Sequence, residues 1–220
     1  MASPDVAQQE IGSIRVLFDR TSLSHHGPAD APTAAATRAT ITTISATKDV
    51  REIVNLGRPL AVLPRTLDAQ DIAPPLLQFL RDLTASSNAA AVSLACGSIL
   101  AGQSSETDEY GDIAVWLGDG EFGPGHELEV LASLGLRHLL IAEGTVKELK
   151  ISPHSGLPAT VHIPGGASAE VARLRQLLDR LADPRIFRVR ADVSLYLLLG
   201  RYEAGAVAGW AGLLGLGIES

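Results

Sequence analysis

Short apolar runs separated by polar or glycine-containing turns occur along most of this chain. Compact β-branched and aliphatic runs predict buried strands, whereas apolar positions at three- and four-residue spacing predict helices. The final apolar tract, Val193 to Gly217, is predicted to pack as a strand followed by a helix. Further strands are predicted at Ile14 to Phe18, Ala39 to Ser45, Pro59 to Leu63, Ala89 to Leu94, Ile113 to Leu117 and Arg137 to Ala142.

Helical patterns occupy several of the gaps between these strands. A helix is predicted to begin at Pro74, because proline is tolerated in a first helical turn, and an apolar stripe follows from Leu76 to Leu83. Shorter helices are predicted at Asp49 to Leu56 and at His126 to Leu134, and Ser168 is predicted to cap another. Alternating strands and helices favour a parallel sheet with helices on both faces.

Length and composition favour a single globular domain. The chain has 220 residues, of which 46% are hydrophobic, enough to bury a sizeable core. Residues 1–11 are expected to form a disordered or extended tail, and residues 12–220 one α/β domain. The net charge of −7 and the lack of a basic run disfavour nucleic acid as a partner, because phosphate binding needs clustered Lys and Arg.

The expected location is the cytoplasm. The single cysteine, Cys96, cannot form an internal disulfide, which fits a reducing compartment. The polar start, MASPDVAQQE, lacks the basic and apolar regions of a signal peptide. Arg201 and Glu203 interrupt the apolar tract near the end of the chain, so we expect no membrane span and no membrane partner.

The stretch from Leu76 to Gly102 contains the strongest candidate for a chemical site. It is predicted to form a helix, a polar turn, a buried strand and a tight Ala-Cys-Gly-Ser turn that contains Cys96. A strand that turns sharply into a helix is the geometry of a nucleophile elbow, which holds one side chain above the carboxyl ends of a parallel sheet. The pattern therefore predicts an enzyme-like site around this turn.

Four segments together resemble the ThiJ/PfpI family of the class I glutamine amidotransferase-like superfamily, in its isonitrile-hydratase-like form. They are IRVLFDRTSLSHHGPADA, AVLPRT, the Leu76 to Gly102 unit and IPGGASAEVARLRQLL. The resemblance implies a flavodoxin-like parallel sheet with helices on both faces. It also implies a small-molecule substrate and a homodimer. We expect no cofactor, and a metal site at His26 and Asp30 is disfavoured because the loop offers no third ligand.

The chain departs from this family at the positions that perform its chemistry. The family's usual Ser-Val-Cys-Thr-Gly turn is Ser-Leu-Ala-Cys-Gly here, which puts Ala95 at the nucleophile position if Gly97 is matched. Arg65 and Thr66 replace the two glycines of a Pro-Gly-Gly turn. The resemblance therefore implies an altered reaction of the hydratase, lyase or cyclase type rather than plain cysteine hydrolysis.

Each candidate residue has a functional and a structural interpretation. Cys96 is a nucleophile if its thiol faces the site, or otherwise a buried small apolar residue. His25 and His26 are acid–base groups or exposed loop residues, and His126 is a site residue or an ordinary helix-start residue. The predicted catalytic residues are Cys96, His25, His26, Asp30 and His126, and the predicted substrate-binding residues are Ser24, Arg65, Thr66, Ala95, Gly97 and Ser98.

Two other functions remain open. The first is a non-catalytic ligand-binding or regulatory domain, because a displaced cysteine and a missing glycine turn are what loss of catalysis would leave. The second is a nucleoside-phosphorylase-like enzyme, because HELEVLASLGLRHLLIAEGTV resembles that family's helix-strand-glycine unit. A reactive thiol would distinguish the enzyme from the binding domain.

Overall fold

A single eight-stranded sheet forms the centre of the part of the chain that the structure describes. The computed structural model describes residues 6–20, 31–45, 56–104, 109–140, 146–163, 167–190 and 192–218. The strands are β1 Val6–Ile11, β2 Ile14–Asp19, β3 Arg58–Leu63, β4 Ile113–Gly118, β5 Val146–Leu149, β6 Leu181–Val189, β7 Ser194–Ala204 and β8 Val207–Gly217. Their order in the sheet is β1-β2-β3-β4-β8-β7-β6-β5.

Helices cover both faces of this sheet, as the alternating pattern predicts. They are α1 Ala31–Ser45, α2 Pro74–Ser93, α3 Glu127–Ser133 and α4 Ala169–Leu178. One face packs against α2 and α4 through residues such as Phe79 and Leu174, and we call this layer the α2/α4 core. The other face packs against α1 and α3 through Ile41 and Val130, and we call it the α1/α3 core. The fold is therefore α/β.

The parallel flavodoxin-like sheet that the resemblance implies is not confirmed. Of the seven strand pairs among the described residues, one is parallel, β3 with β4, and the others are antiparallel. Two-residue turns at Gly12-Ser13 and Gly205-Ala206 join β1 to β2 and β7 to β8. Such short turns can join only antiparallel neighbours, whereas parallel strands need a long crossover. Among the described residues, only the segment that contains α2 supplies one, between β3 and β4.

The predicted strand from Ala89 to Leu94 is wrong, because these residues form the end of α2 and the start of its cap. The polar residues before it, interpreted as a turn, are buried on the helix instead. Ser87 Oγ donates to the Thr84 carbonyl at 3.0 Å, and Asn88 Nδ2 donates to the same carbonyl at 2.6 Å. Alanine is the strongest helix former, so an Ala-rich run with internally satisfied polar groups continues the helix.

The predicted strand from Ala39 to Ser45 is also wrong, because it lies within α1. The alternating threonines of this run are also typical of a strand. In the helix, Thr40 Oγ1 bonds the Ala36 carbonyl at 3.2 Å and Thr42 Oγ1 bonds the Arg38 carbonyl at 2.9 Å. Back-bonding to the preceding turn satisfies the hydroxyls that an alternating pattern would have placed on a sheet surface.

Some of the remaining predictions for strands and helices are confirmed, and others are wrong. The strands at Ile14 to Phe18, Pro59 to Leu63 and Ile113 to Leu117, and the helices begun by Pro74 and capped by Ser168, are confirmed. The helix predicted within Val193 to Gly217 is wrong, because this tract is the hairpin of β7 and β8. Arg137–Leu139 is a single 3-10 turn rather than a strand. The helix predicted at Asp49 to Leu56 lies almost wholly outside the described residues.

Candidate functional site

The turn around Cys96 follows a helix, so it is not a nucleophile elbow. The Cys96 N–H donates to the Ala91 carbonyl at 3.0 Å, and the Ala95 N–H donates to the Val92 carbonyl at 3.1 Å. Ala95 has a φ of 52°, in the left-handed region. These features define a Schellman motif, which satisfies the last carbonyls of α2. The turn therefore has a structural role as the end of that helix.

Cys96 belongs to the α2/α4 core. The residue is 9% exposed, and its Sγ lies 3.5 Å from the Ala91 carbonyl oxygen. An apolar contact at this position of a Schellman motif commonly packs back on the helix. The arrangement matches the interpretation of Cys96 as a small buried apolar residue, and its role as a nucleophile stays a prediction. Ala95 is exposed beside it, and Gly97 is half-buried.

Ser98 points inward from the same turn and contacts a carboxylate that the sequence analysis did not select. Its Oγ donates to Asp112 Oδ1 at 2.7 Å. The Ile99 N–H donates to Asp112 Oδ2 at 2.6 Å, and the Leu100 N–H reaches Oδ1 at 3.5 Å. Asp112 is 0% exposed and directly precedes β4. The carboxylate thus ties the turn after α2 to the start of the central strand.

Burial raises the pKa of Asp112 from 3.8 to about 6, although hydrogen bonds from Ser98, Ile99 and Leu100 act to lower it. The pair is enclosed on its remaining side by β8. A Cβ on Gly215 would lie 2.3 Å from both Asp112 Oδ1 and Ser98 Oγ, so only glycine fits there. The site has no room for a substrate, so the Ser98–Asp112 pair acts as a structural clamp.

Polar side chains of α2 extend this clamp across the sheet. Thr84 Oγ1 donates to the Leu60 carbonyl of β3 at 2.7 Å and accepts from the Ala114 N–H of β4 at 2.8 Å. Asn88 Nδ2 donates to the Asp112 carbonyl at 2.7 Å. Buried polar groups whose partners are all supplied in this way fix one arrangement of the elements they join.

Arg65 and Thr66 lie at the opposite end of β4 from the Cys96 turn. They follow β3, which runs parallel to β4 in the register of Val62 with Val115. The turn at Ser98 contacts the residue that precedes β4, so the length of that strand, about 20 Å, separates the two groups. The structure therefore does not bring Arg65 and Thr66 together with Ser98, although all three are predicted to bind one substrate. Arg65 Nη2 donates to the Gly12 carbonyl at 2.7 Å and braces the first hairpin.

His126 and Cys96 lie on opposite faces of the sheet. His126 stands at the N-cap position of α3, whose Val130 and Leu131 pack in the α1/α3 core, whereas Cys96 packs in the α2/α4 core. The sheet separates the two side chains, so the described residues do not bring the predicted nucleophile and this histidine together. Ser24, His25, His26 and Asp30 lie outside the described residues.

No family model and no curated protein matches this chain at a significant level. Evidence for its function therefore comes from the geometry of the described residues. Among them there is no group of three or more His, Cys, Asp or Glu side chains placed to hold a metal ion. Within the same ranges, no helix combines the length and apolar composition needed to cross a membrane.

The structure contains a cleft that the sequence analysis did not predict. It lies between α4 and the segment from Ser152 to Ile163, and its volume is about 590 Å³. We call it the α4 cleft. Its apolar lining is formed by Val161, Ile163, Ala167, Val171 and Ala172. Its polar lining is formed by Ser152, His154, Ser155, Arg175, Gln176 and Asp179.

The two linings occupy different ends of the cleft. On α4, the apolar contributors precede Arg175 and the polar ones begin there, and the helix rises about 12 Å from Val171 to Asp179. On the facing segment, Gly156 lies beside the end of α4, because a Cβ there would be 4.0 Å from Leu178 Cβ. The turn that contains His154 therefore adjoins the polar end. The cleft is apolar at one end and polar at the other.

Gln103 positions the wall of the cleft that faces α4. Its Nε2 donates to the His162 carbonyl at 2.7 Å, and its Oε1 accepts from the His162 N–H at 3.1 Å. One side-chain amide thus satisfies both backbone groups of a residue between Val161 and Ile163. Gln103 follows the turn that Asp112 clamps, so the segment from Ser98 to Gln103 contacts both the buried carboxylate and the cleft wall. No local motif in the sequence marks these long-range pairs.

Proposed function

We propose that this protein is a small-molecule-binding domain whose ligand occupies the α4 cleft. The observation that supports this most is the cleft itself, about 590 Å³ in volume, with an apolar lining and a few polar groups at one end. Ligand sites in proteins are typically clefts of roughly 300 to 1,000 Å³ with this division of lining. Of the functions that the sequence left open, this is the non-catalytic ligand-binding alternative.

The enzymatic alternative has weaker support from the geometry. Its best-placed residues, Cys96, Arg65 and His126, occupy three separate places, and catalysis requires reacting groups within hydrogen-bond reach of one another. A hydratase, lyase or cyclase that uses Ser24, His25, His26 and Asp30 stays a prediction, as does the ThiJ/PfpI resemblance. A homodimer and a cytoplasmic location are retained as parts of the proposal.

The proposal is tested with a neutral apolar fluorophore, N-phenyl-1-naphthylamine. We expect saturable fluorescence enhancement with one site per chain. Ala172→Trp should abolish it, because Ala172 is an exposed residue of α4 that lines the cleft, and a bulky ring there fills the space. Ala208→Trp is the matched control, since Ala208 is an exposed residue at the start of β8 outside the cleft.

Both variants are first checked for native circular dichroism. Saturable binding that Ala172→Trp removes and Ala208→Trp preserves supports the proposal. No binding to the unmodified protein, or equal binding to both tryptophan variants, contradicts it. In that case the α4 cleft is a surface depression without a ligand role.

A further inference from the structure

The polar end of the α4 cleft contains a cation, Arg175, whose side chain is 47% exposed and whose outer nitrogens have no partner among the described residues. Arg175 Nε lies 4.0 Å from Asp179 Oδ2, one helical turn away. No described residue accepts a hydrogen bond from the Nη groups of Arg175, and none bonds the side chain of His154 or Gln176. Asp179 thus occupies the Nε side of the guanidinium and leaves its Nη pair available.

The position of Arg175 along α4 favours anions of lower charge. It lies in the last turn of α4, where the helix carbonyls carry partial negative charge. A doubly charged phosphate is disfavoured there, and phosphate sites are typical of the opposite helix end. A carboxylate has a single charge and a planar pair of oxygens that matches the fork of a guanidinium. Hydroxyl and amide groups of Ser152 and Gln176 border the same end.

We propose that the ligand of the α4 cleft is a carboxylate-bearing amphiphile, an inference that rests on the proposed function. Its carboxylate is held by Arg175, with His154 and Gln176 beside it. Its apolar chain or ring lies toward Val161, Ile163 and Ala172. A guanidinium–carboxylate contact in a partly enclosed cleft is stronger than a neutral hydrogen bond. The head group therefore decides which amphiphiles bind.

Three probes with the same ten-carbon chain and different head groups test this inference. Decanoate, 1-decanol and decyltrimethylammonium each compete with the bound fluorophore at pH 7.5, below the micellar concentrations of the two ionic probes and the solubility limit of 1-decanol. We expect decanoate to bind at least about tenfold more tightly than 1-decanol, which corresponds to about 1.4 kcal/mol. Arg175→Met should remove that preference and leave the weak affinity for 1-decanol unchanged.

Arg173→Met is the matched control. Arg173 lies on the same helix but outside the cleft, where it is 3.8 Å from Asp82. Loss of the carboxylate preference in Arg175→Met and its retention in Arg173→Met support the inference. Equal affinity for decanoate and 1-decanol overturns it, and so does tightest binding of the cationic probe, which would identify Asp179 as the partner of the head group.

The two proposals fail in different ways. If the fluorophore binds in the cleft and no carboxylate preference is seen, the ligand class is wrong and the binding function stands. If neither the fluorophore nor decanoate binds, with decanoate also measured directly by calorimetry, both proposals are overturned together.

Discussion

The hydroxyl of Ser98 donates a 2.7 Å hydrogen bond to the carboxylate of Asp112 in a site without solvent exposure. The two residues are 14 positions apart along the chain, on opposite sides of the loop that joins α2 to β4. Their contact fixes where the helix ends relative to the central strand. Because the Asp112 carboxylate is buried in this contact, its protonation is coupled to folding.

The stability of the protein should depend on the protonation of Asp112. Because burial raises its pKa from 3.8 to about 6, the folded state holds the proton more tightly than the unfolded state. The resulting contribution is fully present below about pH 3.8 and is lost as the pH rises through about 6. The shift corresponds to about 3 kcal/mol in the free energy of unfolding.

Urea denaturation between pH 4 and pH 7.5 measures this dependence against Asp112→Asn. The asparagine variant should lack the decline in stability with rising pH. The difference in free energy of unfolding between the two proteins should therefore change with pH in this window. Parallel stability curves would show that Asp112 does not titrate there. Using the difference removes the opposing effects of exposed carboxylates whose pKa is lowered, such as Glu10 beside Arg15.

Ser98→Ala should lower the free energy of unfolding by about 2 kcal/mol at pH 7, because a hydrogen bond to a charged group is lost. The loss should be smaller near pH 4, where the carboxyl is neutral. Ser87→Ala serves as the control, since Ser87 Oγ bonds a neutral carbonyl, that of Thr84, at 3.0 Å. Its cost should be smaller and independent of pH. An equal, pH-independent cost for the two variants would argue against an ionised partner of Ser98.

Ala95→Gly should stabilise the protein by about 0.5 to 1 kcal/mol. Ala95 has a φ of 52° at the end of α2, and glycine adopts this conformation without the strain of a Cβ. Ala89→Gly is an exposed substitution inside the same helix and should cost about 1 kcal/mol. Thermal unfolding should show a higher midpoint temperature for Ala95→Gly and a lower one for Ala89→Gly than for the unmodified protein. Destabilisation by Ala95→Gly would show that the left-handed turn stores no relievable strain.

A second buried charge should be sensitive to loss of its partner. The Arg185 side chain is 6% exposed, and its Nη1 lies 2.5 Å from Glu127 Oε1. Glu127→Ala should cost about 3 kcal/mol, because an uncompensated guanidinium remains buried. Asp119→Ala is the control. Asp119 is 85% exposed and 3.5 Å from Arg201, so its loss should cost less than about 1 kcal/mol. Similar costs in urea denaturation would contradict this distinction.

Cys96 should react with iodoacetamide only after unfolding, because its thiol is packed in the α2/α4 core. The rate of labelling is measured in the native and the urea-unfolded protein, with Cys96→Ser as the blank. Rapid labelling of the native protein would support the prediction that Cys96 is a nucleophile. It would also favour the enzymatic alternative over a binding domain.

The reliability of the sequence patterns varied with the residues that formed them. Unbroken β-branched and aliphatic runs, as in Pro59 to Leu63, predicted their strands correctly, since such residues pack well on a pleated surface. The run from Ala89 to Leu94 did not distinguish strand from helix, because its small residues fit either structure. The predicted nucleophile elbow is absent for the same reason, since it required a strand before Cys96.

The sequence by itself determined the local elements with strong signals: the proline-started α2, the serine-capped α4 and the apolar central strands β3 and β4. These depend on backbone preferences and capping within a few residues. Tertiary structure alone decided that most of the strands pair antiparallel, that Asp112 meets Ser98, and that the segment after Ser152 faces Arg175 across a cleft. Those contacts join residues far apart along the chain. They are stabilised by burial and by strand pairing between distant segments, which a short stretch of sequence does not reveal.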